Sequence, residues 1–349
     1  MKTHRNLFRT LLGLVVAALF VYFAFRGISL NSLLHDALGA NFYILIATVL
    51  VVLFSHVLRA LRWRVILQEL KDEISVVDTW GSIMVGYMVN NFVPRLGELV
   101  RAYTTGRLED VSVSGVLGTI VLERLFDMVS AGFLFGIALL MYSGNLIESF
   151  PFLRTAGIIL IAGSLLGGLV LYIASVSNKF KTKLTRTLEA VLPAKAAAKA
   201  ESMVLSFLES FRLLRSAKRF SIVLLYTAFI WIVYVLTMYI PFFAFPFGVA
   251  MHLSFYDAFL LILVTTIAWI VPSPGGVGVY WALVSQALVI IAHVPRPEAL
   301  AYATLTQLLG YIAITIVGSI FALIFTRRLK VNSFRKLIRE EEAASEVQQ

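Results

Sequence analysis

Two carboxylates and one arginine lie close together near the middle of an otherwise apolar segment, 112–141, at Glu123, Arg124 and Asp127. Glu123 and Asp127 are one helical turn apart on one face, and Arg124 is within reach of Asp127. Each charge at the centre of a spanning helix costs about 2.5–3.5 kcal/mol on insertion scales. We therefore expect all three to face the protein interior, with Arg124 paired to Glu123, Asp127 or Glu98. Such a cluster either lines a transport path or only holds helices together.

A second group of polar residues surrounds a break in the apolar segment 76–110, where Pro94 and Gly97 interrupt the helical pattern. Proline lacks a backbone donor and disfavours helix at the residue before it. Backbone groups freed at membrane depth must find partners in the protein or in a water-filled cavity. Asn90 and Asn91 can supply such partners.

Charged residues follow this first break at Arg95, Glu98 and Arg101. Glu98 and Arg101 are three apart, so they share a helix face and can form an ion pair. The apolar stretch before Asn90 favours a hairpin that enters and leaves the membrane on one side. The alternative is an ordinary cytoplasmic loop with a surface ion pair.

A second break interrupts the apolar segment 254–292. It comprises Pro272, Ser273, Pro274, Gly275, Gly276, Val277 and Gly278. Glycines leave backbone N–H groups open to a ligand, and a helix starting near Val277 directs its positive end to the same place. This arrangement suits a phosphate or carboxylate, and the alternative is a tight extracellular turn between two spans. No GK[ST] sequence follows, so the segment is not a Walker loop.

The elements that position these residues are membrane spans. We predict six full spans at 7–25, 42–61, 112–141, 152–175, 220–245 and 299–326, with 76–110 and 254–292 as the two broken segments. The first run has a basic start like a signal peptide but no A-x-A-like cleavage site, so we expect a retained helix. The predicted organisation is a single transmembrane domain over 1–330 and a charged, disordered cytoplasmic tail over 331–349.

The composition agrees with a membrane protein, because 59% of the 349 residues are hydrophobic and 14% are charged, against about 25% charged in soluble domains. With both termini in the cytoplasm, 26 of the 30 Lys and Arg residues fall on the cytoplasmic side. The net charge of +10 is then explained by anionic lipid rather than nucleic acid. The absence of cysteine excludes disulfides and thiolate chemistry, and no metal or cofactor site is predicted.

The two breaks also correspond in position. Pro94 and Pro272 are 178 residues apart, and a full span precedes and follows each broken segment. In the predicted topology the units 42–141 and 220–326 are inverted relative to each other. Paired proline and glycine interruptions in inverted halves indicate a transporter site near the bilayer midplane.

Other polar residues receive simpler interpretations. Arg59, Arg62, Trp63 and Arg64 look like an interfacial anchor below the second span. His56 is expected to be a satisfied polar residue rather than a ligand. The basic stretch 178–219 is expected to lie on anionic lipid.

Together these motifs resemble a flippase-like integral membrane family named for the transmembrane region of lysylphosphatidylglycerol synthase. The resemblance is carried by the first break, by Glu123, Arg124 and Asp127, and by the second break. It implies a helix bundle with two inverted re-entrant hairpins that moves a lipid headgroup between leaflets. Many relatives have a glutamate after the second glycine motif, where this chain has Tyr280 and Trp281. The aminoacyl-transferase domain of the bifunctional synthases is absent, so lysyl transfer is not inferred.

The leading hypothesis is a lipid flippase of the cytoplasmic (inner) membrane that recognises an anionic headgroup and is not an enzyme. The candidate headgroup-binding residues are Asn90, Asn91, Arg95, Glu98, Arg101, Glu123, Arg124, Asp127, Ser273, Gly275, Gly276 and Gly278, with structural breaks at Pro94, Gly97, Pro272 and Pro274. The arginines and the second break would attract the headgroup, while the carboxylates balance charge or carry protons. The alternatives are a secondary transporter of a small soluble anion and, less favoured, a membrane-embedded polyprenyl-lipid transferase.

Overall fold

The protein is an all-α bundle in a computed structural model. It describes residues 19–22, 24–141, 216–268 and 273–346, with parts of 155–169 and residue 213, and these contain no strand. The helices are α1 Leu30–Leu38, α2 Phe42–Leu67, α3 Val76–Phe92, α4 Gly97–Leu108, α5 Val113–Met141, α6 Ala217–Tyr239, α7 Pro246–Ala250, α8 Phe255–Ala268, α9 Val279–Ala292 and α10 Arg296–Glu346. Short 3-10 turns cover Ile240–Ala244 and Pro274–Gly276. The prediction of an all-α polytopic bundle is confirmed.

Five helices of the described residues are long and apolar enough to cross a membrane. They are Phe42–Leu67, Val113–Met141, Ala217–Ala244, Pro274–Ala292 and Arg296–Leu329. Four correspond to predicted full spans, whereas most of the predicted spans 7–25 and 152–175 lies outside the described residues. Pro274–Ala292 was expected to be half of a hairpin, but it is long enough to span by itself.

Helix ends follow local capping signals. The side chain of Asn41 accepts hydrogen bonds from the backbone of Tyr43 and Ile44 at the start of α2. Ser75 caps α3 by accepting from the Asp78 backbone N–H at 3.2 Å. These side chains replace the partners that the first helical N–H groups lack, and they fix where α2 and α3 begin.

The first predicted break is confirmed as a fold-back between α3 and α4. The Asn90 Oδ1 atom accepts a hydrogen bond from the Gly97 backbone N–H at 2.7 Å, which satisfies a free donor at the start of α4. A β-carbon on Gly97 would collide with the Gly86 carbonyl oxygen and the Asn90 side chain. The two helices therefore pack directly backbone against backbone, and Gly97 is required for that close approach.

Ion pairs join helix ends at one end of the bundle. Lys71 pairs with Glu109 at 3.2 Å, Arg219 with Glu69 at 2.7 Å, and Arg328 with the buried Asp78 at 2.6 Å. The described parts of the stretches predicted to be cytoplasmic thus meet at a common end. Which side of the membrane that end faces stays a prediction, as does the division into domains.

The larger core lies around α6, α8, α9 and α10, where Phe242, Phe245 and Phe247 surround the buried ring of Tyr302. The Tyr302 hydroxyl donates to the Met238 carbonyl oxygen. This core holds the start of α10 against the end of α6, and it fixes the position of the helices that flank the second break.

The charged tail differs from the prediction. We expected disorder after Arg327, but α10 continues without interruption to Glu346. Residues such as Glu, Lys, Arg and Ala have high helix propensity, so a charged segment that begins on an existing helix can extend it.

Candidate functional site

Three arginines surround one buried carboxylate. The side chain of Glu123 is 1% exposed, and its Oε1 atom lies 2.8 Å from Arg59 Nη2 and 3.1 Å from Arg62 Nη2. The other oxygen, Oε2, lies 2.7 Å from Arg101 Nη2. We call Arg59, Arg62, Arg101, Glu123 and Asp127 the arginine cluster. It connects α2, α4 and α5.

Asp127 is the member of the arginine cluster that reaches the surface. Its side chain is 27% exposed, and it lies 2.7 Å from Arg62 and 3.6 Å from Arg59. Because Asp127 is one turn after Glu123 on α5, the two carboxylates face the same arginines, as their spacing predicted. The cluster therefore runs from a fully buried carboxylate to a partly exposed one.

Uncharged side chains complete the enclosure of the arginine cluster. The Tyr87 hydroxyl accepts a hydrogen bond from Arg59, and Thr227 accepts one from Arg62 at 3.1 Å. The Arg101 guanidinium lies 3.4 Å from the centre of the Trp63 ring. These contacts bring α3 and α6 into the site, so five helices position it.

The arginine cluster has more positive charge and more donors than it uses. Three arginines against two carboxylates leave a net charge of +1 when all are ionised. Among the described residues, buried Arg62 Nε, Arg101 Nε and His56 Nδ1 have no hydrogen-bond partner. The His56 ring lies 4.8 Å from Tyr87, next to Arg59. Arginine nitrogens can only donate, so the unused capacity suits an anion.

A separate ion pair lies beside the cluster near the surface. Arg124 Nη2 is 2.8 Å from Glu98 Oε1, and the two side chains are 44% and 28% exposed. Glu98 also accepts a hydrogen bond from Asn90 at 3.4 Å. This surface pair links α4 to α5 on the outside of the bundle, so the expectation that Arg124 faces the protein interior is wrong.

The predicted partners were only partly right. Of the three partners expected for Arg124, the structure confirms Glu98. The expected pairs Glu98–Arg101 and Arg124–Asp127 are wrong, because Arg101 turns to Glu123 and Asp127 turns to Arg62. Local spacing allowed the expected pairs, but the buried arginines pair with Glu123 and Asp127, because an unpaired charge costs most where it is buried.

The interpretation of Arg59, Arg62 and Trp63 as an interfacial anchor is wrong. The helix continues to Leu67, beyond the predicted end at residue 61, and all three side chains are buried. His56 is also buried, but its Nδ1 atom lacks the partner we expected among the residues that the structure describes. A usable signal was present, because Arg59 and Arg62 are three apart and share a face, opposite a helix with two unpaired carboxylates.

The second break approaches the first. Asn91 Nδ2 donates to Thr315 Oγ1 on α10 at 2.9 Å, and Tyr311 of the same helix donates to the Asn91 carbonyl oxygen at 3.1 Å. A β-carbon on Gly275 would collide with Tyr311 and lie 3.4 Å from Asn91 Oδ1. Gly275 therefore packs where the first break meets α10.

The remaining predicted residues belong to the second break. Gly275, Gly276 and Gly278 all have positive φ angles, of 56°, 71° and 81°, which glycine adopts without strain. The helix after them begins at Val279 rather than near Val277. Ser273 is buried and Pro274 begins a 3-10 turn, while Pro272 lies outside the described residues.

Arg95 lies apart from the arginine cluster. It is exposed beside Pro94 in the turn between α3 and α4, with a φ of 66°. No ion pair joins it to another described residue. Its predicted role in attracting a headgroup therefore gains no support from a contact.

The fold and the site define a multi-pass helical membrane protein with a buried arginine–carboxylate cluster next to a broken helix pair. The chain belongs to the family described as the lysylphosphatidylglycerol synthase TM region, which matches residues 10–318. The resemblance inferred from the sequence motifs is thereby confirmed.

Two curated relatives have similar lengths. A UPF0104 membrane protein of Methanocaldococcus jannaschii is 23% identical over 326 residues, covering 90% of this chain and 95% of the relative. A UPF0104 membrane protein of Pyrococcus horikoshii is 23% identical over 314 residues, covering 84% and 90%. No solved structure matches the chain.

Proposed function

We propose that the protein is a flippase that moves a lipid with an anionic headgroup between the leaflets of the cytoplasmic membrane. The observation that carries the proposal is the arginine cluster. Burying four ionised side chains beside a partly exposed fifth is costly, and the opposite charges do not fully balance. A phosphate placed against Arg62 and Arg101 would balance the excess charge and accept from donors that are otherwise unused.

The exposed members of the site offer a path from the lipid. Asp127, Glu98 and Arg124 are partly exposed on a bundle surface that otherwise presents large apolar side chains, including Leu99 and Met128. Charged side chains at membrane depth cost free energy, and where they occur they usually mark the path of a substrate or an ion. We place the lateral opening between α4 and α5, where a headgroup can enter while its acyl chains remain in the bilayer.

The broken helix pair supports a re-entrant arrangement. The residues at the turn between α3 and α4 include Phe92, Val93 and Leu96, which are 59%, 42% and 40% exposed. Three exposed apolar side chains in this region suit hydrocarbon better than water, although the turn also contains the exposed Arg95. Asn91, next to this turn, lies close to Gly275, since a β-carbon on Gly275 would be 3.4 Å from Asn91 Oδ1. This proximity favours two breaks that meet near the membrane centre, as in transporters with inverted halves.

Transport then depends on the ion pairs changing partners. Glu123 and Asp127 pair with the arginines when no headgroup is bound, and a bound phosphate competes with these carboxylates for the same guanidinium groups. The family name associates related chains with a lipid synthase, in agreement with a lipid substrate. The sequence has no nucleotide-binding motif, so we propose an ion gradient or a partner as the energy source and no enzymatic step.

The test is lipid translocation by the purified full-length protein in liposomes. Phosphatidylglycerol and phosphatidylcholine, each labelled with a fluorophore on an acyl chain, would be compared by reduction of outer-leaflet label with dithionite. We expect faster loss of phosphatidylglycerol label with the wild-type protein than in protein-free liposomes. Glu123→Gln should lower that rate at least tenfold, because three arginines then lack their shared counter-ion.

Glu69→Gln is the matched control, since Glu69 pairs with Arg219 at the end of the bundle, away from the arginine cluster. It should leave translocation unchanged. If Glu123→Gln folds normally and translocates lipid at the wild-type rate, the site assignment is wrong. Uptake of a soluble anion without lipid movement would instead favour a secondary anion transporter.

A further inference from the structure

Three side-chain oxygens, one in the second break and two on the helix that contacts it, have no hydrogen-bond partner among the described residues. They are Ser273 Oγ, Thr304 Oγ1 and Gln307 Oε1. Ser273 and Gln307 are only 6% and 9% exposed, so bulk water does not satisfy them. Buried polar atoms nearly always have a partner, and several exceptions in one place indicate a ligand site.

The orientation of the Gln307 amide is fixed by its neighbour. Its Nε2 atom donates to the Gly275 carbonyl oxygen at 2.7 Å. A reversed amide would bring two acceptors together, so the nitrogen must face Gly275. The Oε1 atom is consequently an acceptor that requires a donor from elsewhere.

These oxygens belong to the turn and to the face of α10 that contacts it. The Ser273 carbonyl oxygen accepts from Gly276 N–H at 3.1 Å, which closes the turn that Gln307 contacts. Thr304 is three residues before Gln307 on α10, so both side chains lie on the same helix face. Together with Gly275, these residues form what we call the turn site.

The turn site requires a different ligand group from the arginine cluster. Its side chains are uncharged, and Gln307 Oε1 must receive a proton donor. A deprotonated phosphate has only acceptors, whereas a hydroxyl both donates to Gln307 and accepts from Ser273 or Thr304. We propose that the turn site binds hydroxyl groups of the lipid headgroup. This inference rests on the proposed function and refines the expectation that the second break holds the anion.

The arginine cluster and the turn site both adjoin α3. Tyr87, which contacts Arg59, and Asn91, which lies beside Gly275, are one turn apart on that helix, a backbone rise of about 6 Å. On this proposal, one polyol-phosphate headgroup has its phosphate at the arginine cluster and its hydroxyls at the turn site. The substrate class is a lipid whose phosphate carries a hydroxylated substituent.

The experiment compares the binding of two anionic lipids to the full-length protein in phosphatidylcholine nanodiscs. Phosphatidylglycerol has hydroxyls beyond its phosphate, and phosphatidic acid with the same acyl chains has none. The wild-type protein should bind phosphatidylglycerol about five- to tenfold more tightly. Ser273→Ala and Thr304→Val should each reduce this preference several-fold without weakening the binding of phosphatidic acid.

Thr306→Val is the matched control on the same helix, because the Thr306 hydroxyl already donates to the Tyr302 carbonyl oxygen at 2.7 Å. It should keep the wild-type preference. Equal binding of both anionic lipids by the wild-type protein, or an unchanged preference in Ser273→Ala and Thr304→Val, would overturn the hydroxyl site but leave the flippase proposal standing.

The proposed function fails separately if neither anionic lipid binds better than phosphatidylcholine. Soluble glycerol 3-phosphate provides the last arm of the experiment. If it displaces phosphatidylglycerol at the concentration at which the lipid itself binds, the hydroxyl site is supported but the substrate is soluble, which contradicts the flippase proposal.

Discussion

Glu123 and Arg124 are adjacent in the chain but belong to different environments. Glu123 is 1% exposed and contacts three arginines inside the bundle. Arg124 is 44% exposed, and its ion pair among the described residues is with Glu98. A helix turns 100° per residue, so neighbours on α5 point to different sides. Glu123 therefore joins α2, α4 and α5 at a buried site, whereas the next residue lies on the surface of the bundle.

The buried and the exposed charges of α5 should contribute differently to the stability of the protein. Removing one partner from a buried charge group leaves the others without compensation, at a cost of about 3–5 kcal/mol. An exposed pair contributes about 0–1 kcal/mol. Substitutions on the two sides of α5 should therefore differ strongly in their effect on stability. A role in transport is shown where a variant loses more translocation than its loss of stability explains.

The largest effect is expected from Glu123→Gln. The change leaves Arg59, Arg62 and Arg101 buried without their common carboxylate, so the free energy of unfolding should fall by about 3–5 kcal/mol. Thermal unfolding in detergent measures the loss. Glu98→Gln is the comparison from the exposed side and should cost less than about 1 kcal/mol. Equal losses in the two variants would contradict the contrast between the two sides.

A second experiment asks whether the arginine cluster only holds helices together. Arg62→Met leaves Asp127 without its nearest partner and should reduce the free energy of unfolding by about 1.5–3 kcal/mol. Arg62→Met with Asp127→Leu removes both charges and keeps the net charge of the cluster. The double variant should regain much of the stability, as replaced buried ion pairs often do.

Translocation distinguishes the two roles in this double variant. If Arg62 holds the headgroup, lipid translocation should stay at least tenfold below wild type even when stability returns. Recovery of both stability and translocation would show that the Arg62–Asp127 pair has only a structural role.

A third change tests the fold-back that holds α4 against α5. In this position Arg101 of α4 pairs with the buried Glu123, and Glu98 pairs with the exposed Arg124. Gly97→Ala places a β-carbon against the Gly86 carbonyl and Asn90 Cγ, the latter at 2.7 Å. Separating α3 from α4 should cost about 1–3 kcal/mol. It should also disturb the ion pairs of Arg101 and Glu98 together. We therefore expect the variant to translocate lipid more slowly in the liposome assay.

Gly163→Ala is the control for that substitution, because nothing lies within 4 Å of its β-carbon position. Alanine favours helix over glycine, so this variant should be neutral or slightly stabilised. A similar loss in both variants would mean that the close approach at Gly97 is not what matters.

Much of the helix pattern could be predicted because its signals are local. Pro94 and Gly97 marked the break between α3 and α4, and Asn90 was recognised as a partner for freed backbone groups. Long apolar runs marked α2, α5 and α6. These signals act within one or two turns of the chain, where sequence and structure correspond most directly.

The composition of the arginine cluster could not be predicted in the same way. Glu123 is 64 residues from Arg59 and 22 from Arg101, so their contacts depend on how whole helices pack. The assumed end of α2 at residue 61 also placed Arg62 and Trp63 outside the membrane. A better estimate of that helix end would have put them opposite Glu123.

The smallest stability effect is expected from Arg124→Gln. Losing its exposed pair with Glu98 should change the free energy of unfolding by less than about 1 kcal/mol. If the opening between α4 and α5 admits the headgroup, Arg124 attracts the phosphate before it reaches Arg62 and Arg101, and this attraction weakens as salt screens it. The variant should therefore translocate anionic lipid several-fold more slowly at low salt, with the difference shrinking near 1 M salt. A rate equal to wild type at every salt concentration would place the opening elsewhere, and Arg124 would then be only a surface ion pair.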